Sequence, residues 1–188
     1  RNWEQIRTTI CYNDRKVVIV GSHAGVSVGP DGGTHQAVED LALMRVLPNM
    51  CVLSPCDSIE AKKATLAAAQ TNTPTYIRLA REKTPVITTA DTPFEIGKAH
   101  IFYRTQNSSR SDLKSGERSD LNRVGIIGTG SLLHKALVAA KELEGEGIAV
   151  AVLNLGTIKP LDEQSVIELA KECGRIVTVE EHQVAGGM

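Results

Sequence analysis

Residues 21–36 read Gly21-Ser22-His23-Ala24-Gly25-Val26-Ser27-Val28-Gly29-Pro30-Asp31-Gly32-Gly33-Thr34-His35-Gln36, and what stands on either side of them decides the fold. Before them, 16–20 is a short β-branched run; after them, 35–46 carries the apolar spacing of a helix. A strand, a glycine-rich connection and a helix place the loop at the carboxyl edge of an open α/β sheet, where ligands bind. Its sixteen residues hold five glycines, one proline, two histidines and one aspartate. Ordered connections of this length are more often functional than not. The glycines permit positive φ and close backbone approach to a ligand. His23 and His35 exchange protons near neutral pH, and Asp31 accepts hydrogen bonds from hydroxyls or orients a histidine. For either histidine alone, a surface position on a glycine-rich turn is the plainer alternative; both beside Asp31 in one such loop favour a site. The stretch lacks the Gly-Lys-Ser/Thr ending of a Walker A motif and does not fit G-x-G-x-x-G.

Working outward, β-rich runs recur at 50–54, 75–79, 99–103, 123–127, 148–154 and 175–180, with helical patterns at 2–12, 58–70, 131–144 and 162–172. Most of the strands are apolar on both faces, as when helices cover a parallel sheet on each side. Alternating strands and helices imply right-handed βαβ units, so the expected class is α/β, with two mainly parallel-sheet domains. Helix ends are marked by Asp57 or Ser58 as N-cap, by Pro160-Leu161-Asp162-Glu163, and by Gly174 as C-cap. The polar stretch 106–122 is expected to be an exposed, mobile loop. The division is set near 90–93, giving domains 1–92 and 93–188, with 99–103 pairing with 123–127 as a hairpin.

Composition narrows the function. The chain has 188 residues, 41% hydrophobic, with 21 basic against 22 acidic side chains. That balance argues against sequence-independent nucleic-acid binding, so an anionic substrate needs a local positive site. Apolar runs such as 17–20 are too short to span a bilayer. Cys11, Cys51, Cys56 and Cys173 show no zinc spacing, and read as buried thiols in a reducing, cytoplasmic setting. Arg81, just past the strand 75–79, lies on the same sheet edge as the histidine loop, and its guanidinium can grip a phosphate. Arg78, inside the strand, reads as structural. Gly128-Thr129-Gly130-Ser131 reads as a plain strand-to-helix turn. Val179-Glu180-Glu181-His182 is not expected to bind a metal, because neighbouring strand residues point to opposite faces. The opening residues read as helix interior and the last five as a turn leading onward, so both ends are expected to be cut.

These residues resemble the transketolase family. The loop, with Leu41-Ala42-Leu43-Met44-Arg45-Val46-Leu47-Pro48-Asn49, Ser54-Pro55-Cys56-Asp57 and Tyr76-Ile77-Arg78-Leu79-Ala80-Arg81-Glu82, is similar to the pyrimidine-binding domain. Phe94-Glu95-Ile96-Gly97-Lys98-Ala99, Thr157-Ile158-Lys159-Pro160-Leu161-Asp162 and Val179-Glu180-Glu181-His182 resemble the C-terminal domain. The resemblance implies a thiamine-diphosphate-binding (pyrimidine) fold followed by a transketolase C-terminal-domain-like fold, each incomplete. It implies transfer of a two-carbon ketol unit from a ketose phosphate to an aldose phosphate. His23 then matches a catalytic, substrate-contacting histidine, and Asp31 the acid that bonds a substrate hydroxyl. His35 matches a catalytic histidine beside the cofactor, which some members lack, and Arg81 the arginine holding the sugar phosphate. The cofactor implied is thiamine diphosphate with Mg2+ or Ca2+. The family's cofactor-activating glutamate, its pyrimidine-holding aromatics and its diphosphate- and metal-binding domain have no counterpart in these residues. The chain is therefore expected not to turn over alone, and to need a homodimer or a partner N-terminal subunit to complete the site. Two alternatives stay open: a 1-deoxyxylulose-5-phosphate synthase-like enzyme, which shares the His-Ala-Gly and Asp-Gly-x-Thr-His patterns, and a non-catalytic homologue acting as an assembly or regulatory partner.

Overall fold

The structure, a computed structural model, describes residues 1–105 and 123–188. The stretch 106–122, expected as a mobile loop, lies outside the described residues. In chain order the strands are β1 (Val18–Ala24), β2 (Cys51–Leu53), β3 (Thr75–Ala80), β4 (His100–Arg104), β5 (Arg123–Gly128), β6 (Ala149–Asn154), β7 (Thr157–Lys159) and β8 (Ile176–Val179). The helices are α1 (Asn2–Gln5), continued by a π-helical stretch at Ile6–Cys11, then α2 (Asp40–Arg45), α3 (Ser58–Gln70), α4 (Leu133–Gly145) and α5 (Glu163–Cys173). They build two four-stranded sheets, ordered β1-β3-β2-β7 and β4-β6-β5-β8. β1, β3 and β2 run parallel, as do β6, β5 and β8, while β7 and β4 are the antiparallel edge strands.

The caps fall where local chemistry puts them. Asp57 accepts from Glu60 N at 2.9 Å, Asp162 accepts from Ser165 N at 3.1 Å, and Gly174 closes α5 at φ 71°. Three expectations need correction, and one strand was not expected. Strand 99–103 makes no hairpin with 123–127: β4 pairs antiparallel with β6, and β5 is sandwiched in parallel between β6 and β8. The largely buried β5 takes the centre, and the half-exposed β4 takes the edge. The helix expected from 35 begins only at Asp40, because Ala37 is drawn into a bridge with Ala24 and its carbonyl accepts from Gly25 N at 2.8 Å. β1 is not covered on both faces, since Val18 and Val20 are exposed. Thr157-Ile158-Lys159, for which no strand was expected, is a strand of the first sheet, with Val52 opposite Lys159.

That strand fuses the halves. One core cluster joins Leu41, Leu47 and Val52 to Leu153, Leu155, Ile158 and Leu169. Ser54 N donates to Gly156 O at 2.9 Å, Gly130 N donates to Ser54 O at 3.1 Å, and Asn154 Nδ2 donates to the buried Glu60 carboxylate at 2.6 Å. Among the described residues no helix is long and apolar enough to cross a membrane.

Candidate functional site

Because β1 and β3 are parallel, their carboxyl ends share one rim. Their ladder runs in register from Val18↔Thr75 to Gly21↔Arg78, then shifts, so that Ala24 lies opposite Ala80. His23 sits in this irregularity at φ 61°, a left-handed conformation uncommon outside glycine, and its side chain is exposed. Beyond it, Val26–Asp31 and Gly33–His35 form short 3-10 turns. Gly25 (φ 88°) and Gly32 (φ 80°) bound the first of them in backbone conformations that a side chain would strain. Asp31 and His35 are exposed, and His35 Nδ1 lies 3.1 Å from Thr34 Oγ1.

Arg81 comes from the end of β3. Its Nη1 donates to Val28 O at 2.6 Å, which brings the guanidinium against the loop that carries His23, Asp31 and His35. Among the described residues no hydrogen bond or ion pair joins these four side chains to one another. The structure thus gathers them on one rim and one loop without linking them directly.

Beneath the rim the loop rests on a buried polar network. Arg78, 5% exposed, donates from Nε to Asp40 Oδ2 at 2.9 Å and from Nη2 to Glu181 O at 2.6 Å and Ala37 O at 3.3 Å. Tyr76 donates to the same Asp40 oxygen at 2.8 Å. Burial, then the Asp40 charge, pushes the Tyr76 phenol well above its usual range, so it stays a protonated donor. Arg78 is structural, as its place inside a strand implied. Gly128-Thr129-Gly130-Ser131 is a turn whose Thr129 Oγ1 donates to Leu155 O at 2.7 Å. Burial raises the pKa of Cys51 to about 11 and also raises those of Cys11, Cys56 and Cys173, so these thiols are poor nucleophiles.

One participant escaped the sequence reading. Glu181, 6% exposed, follows β8 and reaches across to the loop: Oε1 accepts from Ser27 N at 2.5 Å, and Oε2 accepts from Ser27 Oγ at 3.2 Å and Ser131 Oγ at 3.3 Å. A Cβ on Gly25 would overlap this carboxylate. In sequence it stands in an acidic pair within the motif 179–182, and nothing there points to Ser27, which lies 154 positions away. Among the described residues no group of three or more His, Cys, Asp or Glu is placed to hold a metal ion. A cleft of about 410 Å³ opens nearby between Pro55, Asp57, Leu79, Lys83 and Ser131.

Comparison with known proteins accords with this layout. Residues 1–86 match the family described as transketolase, pyrimidine binding domain, and residues 116–188 match transketolase, C-terminal domain. Transketolase-like protein 2 of Mus musculus is 41% identical over 100% of this chain, which spans 28% of that protein. A putative transketolase C-terminal section of Methanocaldococcus jannaschii is 38% identical over 100% of this chain and 54% of its own length. A solved structure described as a split gene transketolase, inactive beta4 tetramer, superposes with a TM-score of 0.82 at 39% identity, over 98% of this chain and 54% of that one. The chain thus spans about half or less of the relatives it matches.

Proposed function

This chain belongs to the transketolase family, and from that premise we propose that it is the substrate-facing part of a transketolase, a transferase moving a two-carbon ketol unit from a ketose phosphate to an aldose phosphate. In this reading residues 1–92 are the pyrimidine-binding domain and 93–188 the C-terminal domain. When bound, thiamine diphosphate supplies the carbanion chemistry that breaks and makes the carbon–carbon bond. The residues here fit one side of such a site: two exposed imidazoles, an exposed carboxylate and a guanidinium on a shared rim. In this reading the diphosphate and its Mg2+ or Ca2+ are held by residues outside this chain. His35 would be the residue of this chain that contacts the cofactor.

Within the site, Arg81 holds the sugar phosphate by charge-assisted hydrogen bonds. Asp31 accepts a hydrogen bond from a substrate hydroxyl and so selects its configuration. His23 and His35 take and return protons at the donor hydroxyl and the new carbonyl oxygen, roles worth about a hundredfold or more each in rate. The observation that carries this reading is the Arg81 contact with the Val28 carbonyl, which puts a phosphate-sized cation beside the loop of His23, Asp31 and His35.

The site is completed by a second polypeptide, either the other protomer of a homodimer or an N-terminal partner subunit. The solved split-gene relative, described as an inactive beta4 tetramer, supports a lone chain of this kind being incompetent. The reduced cysteines suit a cytoplasmic setting, where pentose phosphates are interconverted. The test mixes this chain with the diphosphate-binding polypeptide, thiamine diphosphate and Mg2+, then assays ketol transfer between sugar phosphates. Transfer by the mixture and by neither component alone is the expected result. Pyruvate-dependent turnover in its place would move the reading to the deoxyxylulose-phosphate synthase class.

A further inference from the structure

We infer that Glu181 is a positioning residue, by which the C-terminal half holds the substrate loop in its working shape; this rests on the function proposed above. The segment Val26–Asp31 hangs between Gly25 and Gly32, both at positive φ, and is interrupted by Gly29 at φ 46°. A segment so rich in glycine has little conformational preference of its own, so its shape is set by what grips it. Two grips reach it from other elements. Arg81 holds the Val28 carbonyl from the end of β3. Glu181 holds Ser27 through both its amide and its hydroxyl, and the same carboxylate accepts from Ser131 at the start of the second sheet's helix layer.

The grip is built rather than incidental. Glu181 is 6% exposed, and its own carbonyl is fixed by Arg78, which Asp40 fixes in turn. Gly25 leaves only enough room for the carboxylate to lie against the loop backbone. A buried carboxylate that accepts from a backbone amide and two hydroxyls is satisfied only while all three donors stay in place. The loop bearing Asp31 and His35 is thereby tied to the C-terminal half, and misplacement by about 1 Å at such a loop can cost about a hundredfold in rate.

Hydrogen exchange at the Ser27 amide tests this directly, because that N–H donates to Glu181 Oε1. In E181A the amide is expected to exchange at least about tenfold faster while amides of β2 and β3 keep their rates. In the assembled enzyme kcat/KM for the sugar phosphates should fall about tenfold to a hundredfold. E181Q keeps an acceptor for Ser27 N and an amide that Ser27 or Ser131 Oγ can accept from, so it should restore both readouts towards wild type. Should E181A not fold, the double variant S27A/S131A removes both hydroxyl donors and is expected to speed exchange of the backbone amide at position 27 about threefold. Wild-type exchange of the position-27 amide in either variant, or acceleration no greater than that of β2 and β3, overturns the assignment. An assembled wild-type enzyme that transfers no ketol unit would sink the proposed function, whereas the exchange measurement still decides the role of Glu181.

Discussion

Asp57 is 4% exposed and accepts from Glu60 N, Ile87 N, Thr88 N and Thr88 Oγ1 at 2.7–2.9 Å. Burial pushes its pKa up, but these donors prevail and hold it below the usual carboxylate range. Because the folded value lies below the unfolded one, about 3.9, the stabilisation is fully present above that pH and is lost as pH falls through the folded value. Asp162, held low by donors from Ala99 and Ser165 against a raising effect of burial, adds a second contribution of the same sign. Urea unfolding of D57N at neutral pH should show a loss of about 1–3 kcal/mol. Its stability should also decline less steeply than wild type below about pH 4, with Asp162 contributing to the slope that remains. An unchanged acid slope would mean that Asp57 is not held in this way. At the rim, R81K keeps the charge but loses the planar fork. Hydrogen bonds to charged groups contribute about 1.5–3 kcal/mol, so KM for a phosphorylated donor should rise about 10- to 100-fold, with little change for an unphosphorylated one. Equal effects on both donors would remove Arg81 from phosphate recognition.

At the scale of elements, β7 shows why a three-residue strand matters. Ile158 is 4% exposed within the cluster shared by both halves, and Lys159 Nζ donates to Arg45 O and Leu47 O at 3.0 and 2.6 Å, satisfying carbonyls at the end of α2. Truncating Ile158 leaves a cavity between two sheets' worth of side chains, and I158A should cost about 2–5 kcal/mol by denaturant titration. A cost near zero would show that β7 is only draped over the first sheet. Nothing local announces β7. Its pairing depends on β2 in the other half, which a run of three residues does not reveal. Asp57, Asp162 and Gly174 were legible because a cap is written within a few residues of the helix it ends. The loop at 21–36 was legible because its composition is unusual wherever it lies. Glu181 was not, since its meaning is set by Ser27 and Ser131, which only the fold brings near. The late start of α2 follows the same rule: Ala37 reads as helix until Gly25 claims its carbonyl.

Across the whole molecule, the two sheets are tied by contacts too numerous for either to open alone. β7 crosses into the first sheet, Glu60 is satisfied partly by Asn154, Ser54 bonds to both Gly130 and Gly156, and Glu181 pins Ser27. Opening either half would take one partner each from buried groups such as Glu60, which loses Asn154, and Arg78, which loses Glu181 O, at about 1–3 kcal/mol apiece. Chains with such coupling unfold as one unit, and coincidence of probes is the test. The single tryptophan, Trp3, donates to Leu43 O at 2.8 Å and so reports on the first half. Cys173, buried at the end of α5 with its thiol pKa raised chiefly by burial, reports on the second. Urea titration should give one midpoint for Trp3 fluorescence, far-UV circular dichroism and the onset of rapid Cys173 labelling. Cys11, Cys51 and Cys56 should become reactive over the same range, because their burial is lost in the same event. Separate midpoints, with Cys173 opening while Trp3 remains native, would show that the junction residues only touch, and the second half would then have to be treated as a domain whose loss leaves the rim of His23, Asp31, His35 and Arg81 intact.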